Sequence, residues 1–148
     1  MAYWLVKSEP CVWSWKMQQD KGSIGEAWTG VRNYQARNNM RKMRIGDKGF
    51  FYHSNKGREI VGIFEVITGT YPDPTVEGYS PWECVDIRSV CSMPCPVSLV
   101  AIKGNLQLSK MALVTFSRLS VQPVKLDEYL EVCRMGKLSS PPLSEYEM

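Results

Sequence analysis

The apolar positions along the chain fall into short runs with period two, broken by a few stretches with helical period. Tyr3-Trp4-Leu5-Val6-Lys7 is aromatic and β-branched, as a first strand should be. Ser8-Glu9-Pro10 ends it, because Pro10 holds Glu9 extended and cannot donate to a ladder. Residues 11–30 carry Trp13, Trp15 and Trp28 among lysines, glutamines and glycines, which predicts a loop or short helix lining something. From Asn33 to Met43 the period becomes helical. Ala36, Met40 and Met43 fall within about 60° of one another, with Tyr34, Arg37, Asn38 and Arg41 on the opposite arc, and Gly46 offers a left-handed stop. Phe50-Phe51-Tyr52-His53 and residues 60–67 read as two strands joined by a turn at Asn55-Lys56-Gly57, the second apolar enough to be central. Tyr71-Pro72-Asp73-Pro74 reads as a loop, since two prolines oppose a ladder. Residues 82–90 form a further strand, which Pro94-Cys95-Pro96 is expected to break. Short helices at 99–103 and 110–113, a closing edge strand at 119–124 and a helix over 126–135 stopped by Gly136 complete the pattern. The expectation is an α+β domain whose five or six mostly antiparallel strands, with interspersed helices, close into a small barrel.

A chain of 148 residues fits one domain, here assigned to residues 1–136, with 137–148 expected to be a loose tail. No window approaches the ~18 apolar residues of a membrane helix, and charge arrives too early at the N-terminus for a secretory signal, so a soluble, cytoplasmic protein is expected. The five cysteines form no Cys-x-x-Cys pair and His53 is the single histidine, so neither a structural zinc site nor any other metal or cofactor is expected. Buried, reduced thiols are the simpler reading, although Cys91 and Cys95 could meet. The net charge of +3 is uneven. Residues 1–62 hold eleven Lys and Arg against five acids, or +6; residues 63–148 hold seven against ten, or −3. A basic half suits a polyanion, though uneven surface loading would look the same.

Three clusters could carry chemistry. Lys7-Ser8-Glu9-Pro10 places a hydroxyl and a carboxylate at a strand end, or is an ordinary cap and turn. Residues 28–38, from Trp28 through Val31, Arg32, Asn33, Tyr34 and Arg37, combine a glycine turn with aromatics, amides and arginines. Arginine forks grip phosphate, rings stack on bases and amides read base edges, yet the same residues serve as an N-cap and a solvated surface elsewhere. Tyr52-His53-Ser54 closes a strand, where a lone histidine is either a site residue or a satisfied structural one.

These blocks, in this order, together with Gly46-Asp47, Val61-Gly62-Ile63, Tyr71-Pro72-Asp73-Pro74 and residues 118–124, resemble the EVE domain over about residues 2–136. The resemblance implies a PUA-like pseudo-barrel, kinship with the YTH domain and its aromatic pocket for a methylated base, and recognition of a modified base, cytosine above all, in DNA or RNA. The matching positions are Ser8, Glu9, Trp28, Val31, Asn33, His53 and Ser54, expected around one pocket. Trp28 would stack on one extruded base, aided by Trp13, Trp15 or Tyr34. Glu9 would accept from an exocyclic amine, and Ser8 or Asn33 would hold another edge. Arg32, Arg37 and Arg41 would contact phosphates of a single-stranded or base-extruded partner. The rival readings are an amidohydrolase like the related ASCH proteins, using Lys7 and Glu9, and a small-molecule or protein interaction module. Nothing in the sequence gives Lys7 a reason for a lowered pKa, so a non-catalytic reader is the leading expectation.

Overall fold

The computed structural model describes residues 2–144. In chain order the elements are β1 (Tyr3–Ser8), α1 (Trp15–Asp20), β2 (Glu26–Ala27), α2 (Tyr34–Arg41), β3 (Lys48–His53), β4 (Glu59–Val66), β5 (Tyr71–Pro72), β6 (Glu83–Cys84), β7 (Asp86–Ser98), α3 (Leu99–Lys103), α4 (Ala112–Thr115), β8 (Val121–Val124) and α5 (Leu126–Met135). Single 3₁₀ turns lie at Gly22–Ile24 and Leu106–Leu108. One mixed sheet, ordered β2-β7-β4-β3-β1-β8, curls into the half-barrel of a PUA-like fold, and β5 pairs with β6 apart from it. Only the β1–β3 pair of that sheet is parallel, with Ser8 opposite His53 at the shared C-terminal end.

The sheet has a core on each face, which is why its strands do not alternate apolar with polar. Along β1, Tyr3 and Leu5 enter one core while Trp4 and Val6 enter the other; along β3, Phe50 and Tyr52 part from Phe51 in the same way. The first core is covered by α5, whose Tyr129 ring stacks on Tyr3 and Phe50 at 4.1 and 5.0 Å. The second is covered by α1 and α2, through Trp15, Ala36 and Met40, and it is the one beneath the site. Trp15 lies so close over β4 that a Cβ at Gly62 would sit 2.1 Å from its ring. Among the described residues no helix is long and apolar enough to cross a membrane.

Several local expectations are corrected. Pro94-Cys95-Pro96 does not break β7, which runs on to Ser98. Between Ile60↔Val97 and Gly62↔Ser92, two steps along β4 match five along β7, so both prolines sit in a bulge where no ladder bond is required of them. Residues 71–74 are not wholly loop either. Tyr71 and Pro72 face Cys84 and Glu83, and the Asp73 N–H donates to the Trp82 carbonyl, so the alternation points the nitrogen of Pro72 away from its partner. The predicted strand over 82–90 is divided between β6 and β7. α2 closes at Lys42, and Gly46, at φ 95°, serves the turn into β3 instead. α5 does end at Gly136, as expected; the left-handed residue is the next one, Lys137, at φ 63°, and a Cβ at Gly136 would sit 2.3 Å from the Met93 sulfur. The tail is tied down as far as Ser144, which is wholly buried, donates to the Ala2 carbonyl and accepts from the Lys48 N–H. Glu145-Tyr146-Glu147, named with that tail, lie outside the described residues. All five cysteines are free, but Cys11 and Cys95 are exposed, not buried.

Candidate functional site

Two segments meet at the end of β1 and leave a cleft of about 570 Å³ between them. The first is the turn after the strand. The Val12 and Trp13 N–H groups both donate to the Glu9 carbonyl at 2.9 Å, and the Ser8 hydroxyl donates to the carbonyl of Trp13, folding 9–13 back over the strand tip. α1 then orients the Trp13 ring: its indole N–H donates to Gln18 Oε1 at 2.9 Å, and the buried Gln18 donates in turn to the Ile87 carbonyl at 3.1 Å. The second segment is 26–32. β2 pairs with β7, the Trp28 N–H donates to the Val85 carbonyl at 2.7 Å, and the Trp28 ring packs edge-on to Phe51, centroids 5.5 Å apart. Gly30 follows at φ 84°, a conformation that favours glycine.

Asp73 holds this second wall in place. Its side chain is fully buried and accepts from the Gly30 N–H and Arg32 Nη1, both at 3.0 Å, and from the Thr75 N–H and hydroxyl at 2.8 and 2.6 Å. Burial alone would raise the carboxyl; the hydrogen bonds of Thr75, Gly30 and Arg32 outweigh it and hold the group at about 2. On the opposite rim the Lys7 ammonium donates to the carbonyl of Ser117, and burial pushes its pKa down.

The cleft is bordered by Lys7, Ser8, Glu9, Val12, Trp13, the whole of 26–32 and Ser120. Thus Ser8, Glu9, Trp28 and Val31 come together as expected, joined by Arg32 and Trp13. The other expected residues do not border it. Asn33 caps α2, its Oδ1 accepting from the Ala36 N–H at 2.9 Å. His53 turns under α1, where Nε2 accepts from the Trp15 N–H at 3.0 Å; that bond needs the neutral ring, and burial lowers the pKa accordingly. Ser54 serves through its backbone, donating to the Ser8 carbonyl at 2.9 Å. Trp15 is core, 5.1 Å from Phe51 with its indole N–H on Ser92 Oγ. Tyr34 packs against Trp82, ring centroids 4.8 Å apart and tilted by 33°. Arg37 lies over Tyr34 and donates to the Pro81 carbonyl, and Arg41 is ion-paired with Glu83, so both are already engaged. Asp73 was missed as the anchor of the site. Its Asp-Pro-Thr context signals an Asx turn, but nothing local signals that Gly30 and Arg32 lie against it.

A PUA-like half-barrel with a tryptophan-bordered cleft at its strand ends defines the class of fold to which the chain belongs. Within that class the chain belongs to the EVE domain family, whose model matches residues 2–135. A crystal structure of a protein from Agrobacterium tumefaciens is 66% identical, with a TM-score of 0.96 over 97% of this chain and 99% of that one. Human thymocyte nuclear protein 1 is 35% identical over 159 residues, spanning 86% of this chain and 71% of its own. A crystal structure of human THYN1 in complex with 5-methylcytosine-containing DNA is 31% identical, with a TM-score of 0.78 over 93% of this chain and 98% of that one. The YTH domain of Zygosaccharomyces rouxii MRB1, solved with N6-methyladenosine RNA, shares the fold at a TM-score of 0.56 and 15% identity, covering 91% of this chain and 86% of that one.

Proposed function

We propose that this protein is a non-catalytic nucleic-acid-binding module that takes one extruded base, a modified cytosine, into the cleft. The observation that carries this reading is that two tryptophans, Trp13 and Trp28, and two carboxylates, Glu9 and Glu26, border one cleft of about 570 Å³, a size within the ~300–1,000 Å³ of ligand sites. The complex of human THYN1 with 5-methylcytosine DNA supports the choice of base. Trp28 and Trp13 provide rings for stacking, worth about 1–3 kcal/mol per base. The exposed Glu9 accepts from an exocyclic amine, as acidic side chains do with cytosine N4. Ser8 already donates its proton to Trp13, so it has only a lone pair to give a base. Arg32, held by Asp73 but 40% exposed, presents a fixed cation to a neighbouring phosphate. Because unpairing costs a few kcal/mol, a single strand or a damaged pair binds best. A methyl group seated against apolar atoms adds about 0.8 kcal/mol, a severalfold preference.

The test is titration of labelled single-stranded DNA and RNA carrying one 5-methylcytosine or one cytosine. Binding that falls in Glu9→Gln and Trp13→Ala, both open to solvent on one side, supports the reading; equal affinity in both variants sinks it. One observation favours the amidohydrolase reading, namely that Lys7 and Glu9 border the same cleft and Lys7 does have a reason for a lowered pKa, its burial. That reading predicts time-dependent release of the acyl group from an N4-acylated cytidine, abolished by Glu9→Gln.

A further inference from the structure

A second hollow, of about 410 Å³, lies against the cleft between the start of α2 and the turn 116–119. The two share a rim. Arg32 and Ser120 border the cleft while their chain neighbours Asn33 and Leu119 border the hollow. Lys7 crosses between them, its side chain bordering the cleft and its ammonium donating to the carbonyl of Ser117 on the other side. A ligand leaving the cleft over this rim therefore passes Lys7 and Arg32 and reaches Phe116 and Arg118.

Phe116 is 66% exposed. A lone exposed ring is ordinary, but this one stands on a braced turn beside an arginine and two amides. Gln122, wholly buried, donates from Nε2 to the carbonyls of both Phe116 and Leu119, at 3.0 and 2.9 Å. The Leu119 N–H donates to the Phe116 carbonyl at 3.1 Å, and Lys7 holds Ser117. Four hydrogen bonds thus fix a four-residue turn on which Phe116, Ser117 and Arg118 are exposed while Leu119 packs against the core, an ordering a ligand does not have to supply on binding. Its surface joins a π face, the Arg118 cation and the amides of Asn33 and Gln35, whose Oδ1 and Nε2 serve Ala36 and Asn39 and which so offer Nδ2 and Oε1, a set that meets a base and its phosphate.

We infer that this hollow seats the nucleotide adjacent to the one in the cleft, its base stacked on Phe116 and the linking phosphate held by Arg118. The inference rests on the cleft binding a base and adds a second position, so the ligand is a strand of at least two nucleotides. The experiment compares 5-methyl-2′-deoxycytidine, the dinucleotide extended by one residue on either side, and pentanucleotides of DNA and RNA carrying one 5-methylcytosine. The ratio of oligonucleotide to nucleoside affinity is measured in the wild type and in Phe116→Ala, Phe116→Leu and Arg118→Ala. Loss of the stacking face lowers that ratio about 5- to 150-fold in Phe116→Ala. Phe116→Leu, which keeps the apolar bulk, shows most of the same loss, and Arg118→Ala flattens the salt slope by about 0.7. If the nucleoside and the strand bind the wild type but the ratio is the same in all three variants, the second seat is wrong and the cleft stands. If neither nucleoside nor strand binds the wild type, the reading of the cleft and this inference fall together.

Discussion

Asp73 and His53 show how single residues hold the site by fixing a protonation state. Asp73 titrates at about 2 when folded, below its ordinary 3.8, so the stability it contributes is complete above that ordinary value and lost as pH falls through about 2. His53 also has its pKa lowered on folding, so its contribution is present above about 6.5 and fades as pH falls below that. Thermal unfolding between pH 8 and 2 should therefore show two declines, one beginning near 6.5 and one below about 4. His53→Gln, which keeps an acceptor for the Trp15 N–H, should remove the first alone. Asp73→Asn should destabilise by about 2–3 kcal/mol at pH 7, since hydrogen bonds to a charged buried acceptor are lost, with most of the difference from wild type gone near pH 2. Urea titrations at the two pH values check this. An Asp73→Asn protein as stable as wild type at pH 7 would mean that the wall at Gly30 and Arg32 is held some other way.

At the scale of elements, α2 shows what local sequence can disclose and what it cannot. Its stripe of Ala36 and Met40, continued by Met43 just past its end, is buried as the period requires, and its N-cap is the Asn33 that starts the pattern. Period and caps are properties of neighbours in the chain, and so are the ends of β1, α3 and α5, which were legible for the same reason. The opposite face is different. Arg32, Arg37 and Arg41 read as cations awaiting phosphate, yet their partners Asp73, Pro81 and Glu83 lie some forty residues onward, and Trp82 packs against Tyr34 between them. Four of the seven expected pocket residues border the cleft, because strand tips and glycine turns expose side chains. Asn33 and His53 lie off the cleft because a backbone N–H elsewhere claims each of them. Two variants separate these roles. Asn33→Ala should cost about 1 kcal/mol of stability as a lost cap, and Asn33→Ser should recover most of it. Arg41→Ala should cost under about 1 kcal/mol, because its pair with Glu83 is half exposed. Denaturation midpoints read both, and a loss of several kcal/mol in Arg41→Ala would show the clasp between α2 and β6 to be worth more than a surface pair.

Over the whole molecule, the +6 of residues 1–62 is less available to a polyanion than the count suggests. Lys48 is buried against Glu65, Arg32 is shared with Asp73, Arg41 is paired with Glu83, and Lys16 with Asp20. The −3 half supplies three of those acids, Glu65, Asp73 and Glu83, so part of the charge asymmetry along the chain is folded away in space. Binding would then rest on stacking and on few phosphate contacts, and its dependence on salt should be shallow. With single strands each phosphate contact contributes about −0.7 to the slope of log K against log salt. Contacts from Arg32 and Arg118 alone give about −1.4, whereas adding Arg37 and Arg41 gives about −2.8. The double variant Arg37→Ala/Arg41→Ala separates the two. Titrations of a 5-methylcytosine pentanucleotide from 50 to 300 mM salt should give it the wild-type slope, because those guanidiniums are held against Pro81, Tyr34 and Glu83. A slope flatter by about 1.4 would instead show that a nucleic acid opens the clasp and draws both arginines onto its backbone, and the segment 79–84 would then be a moving part of the interface.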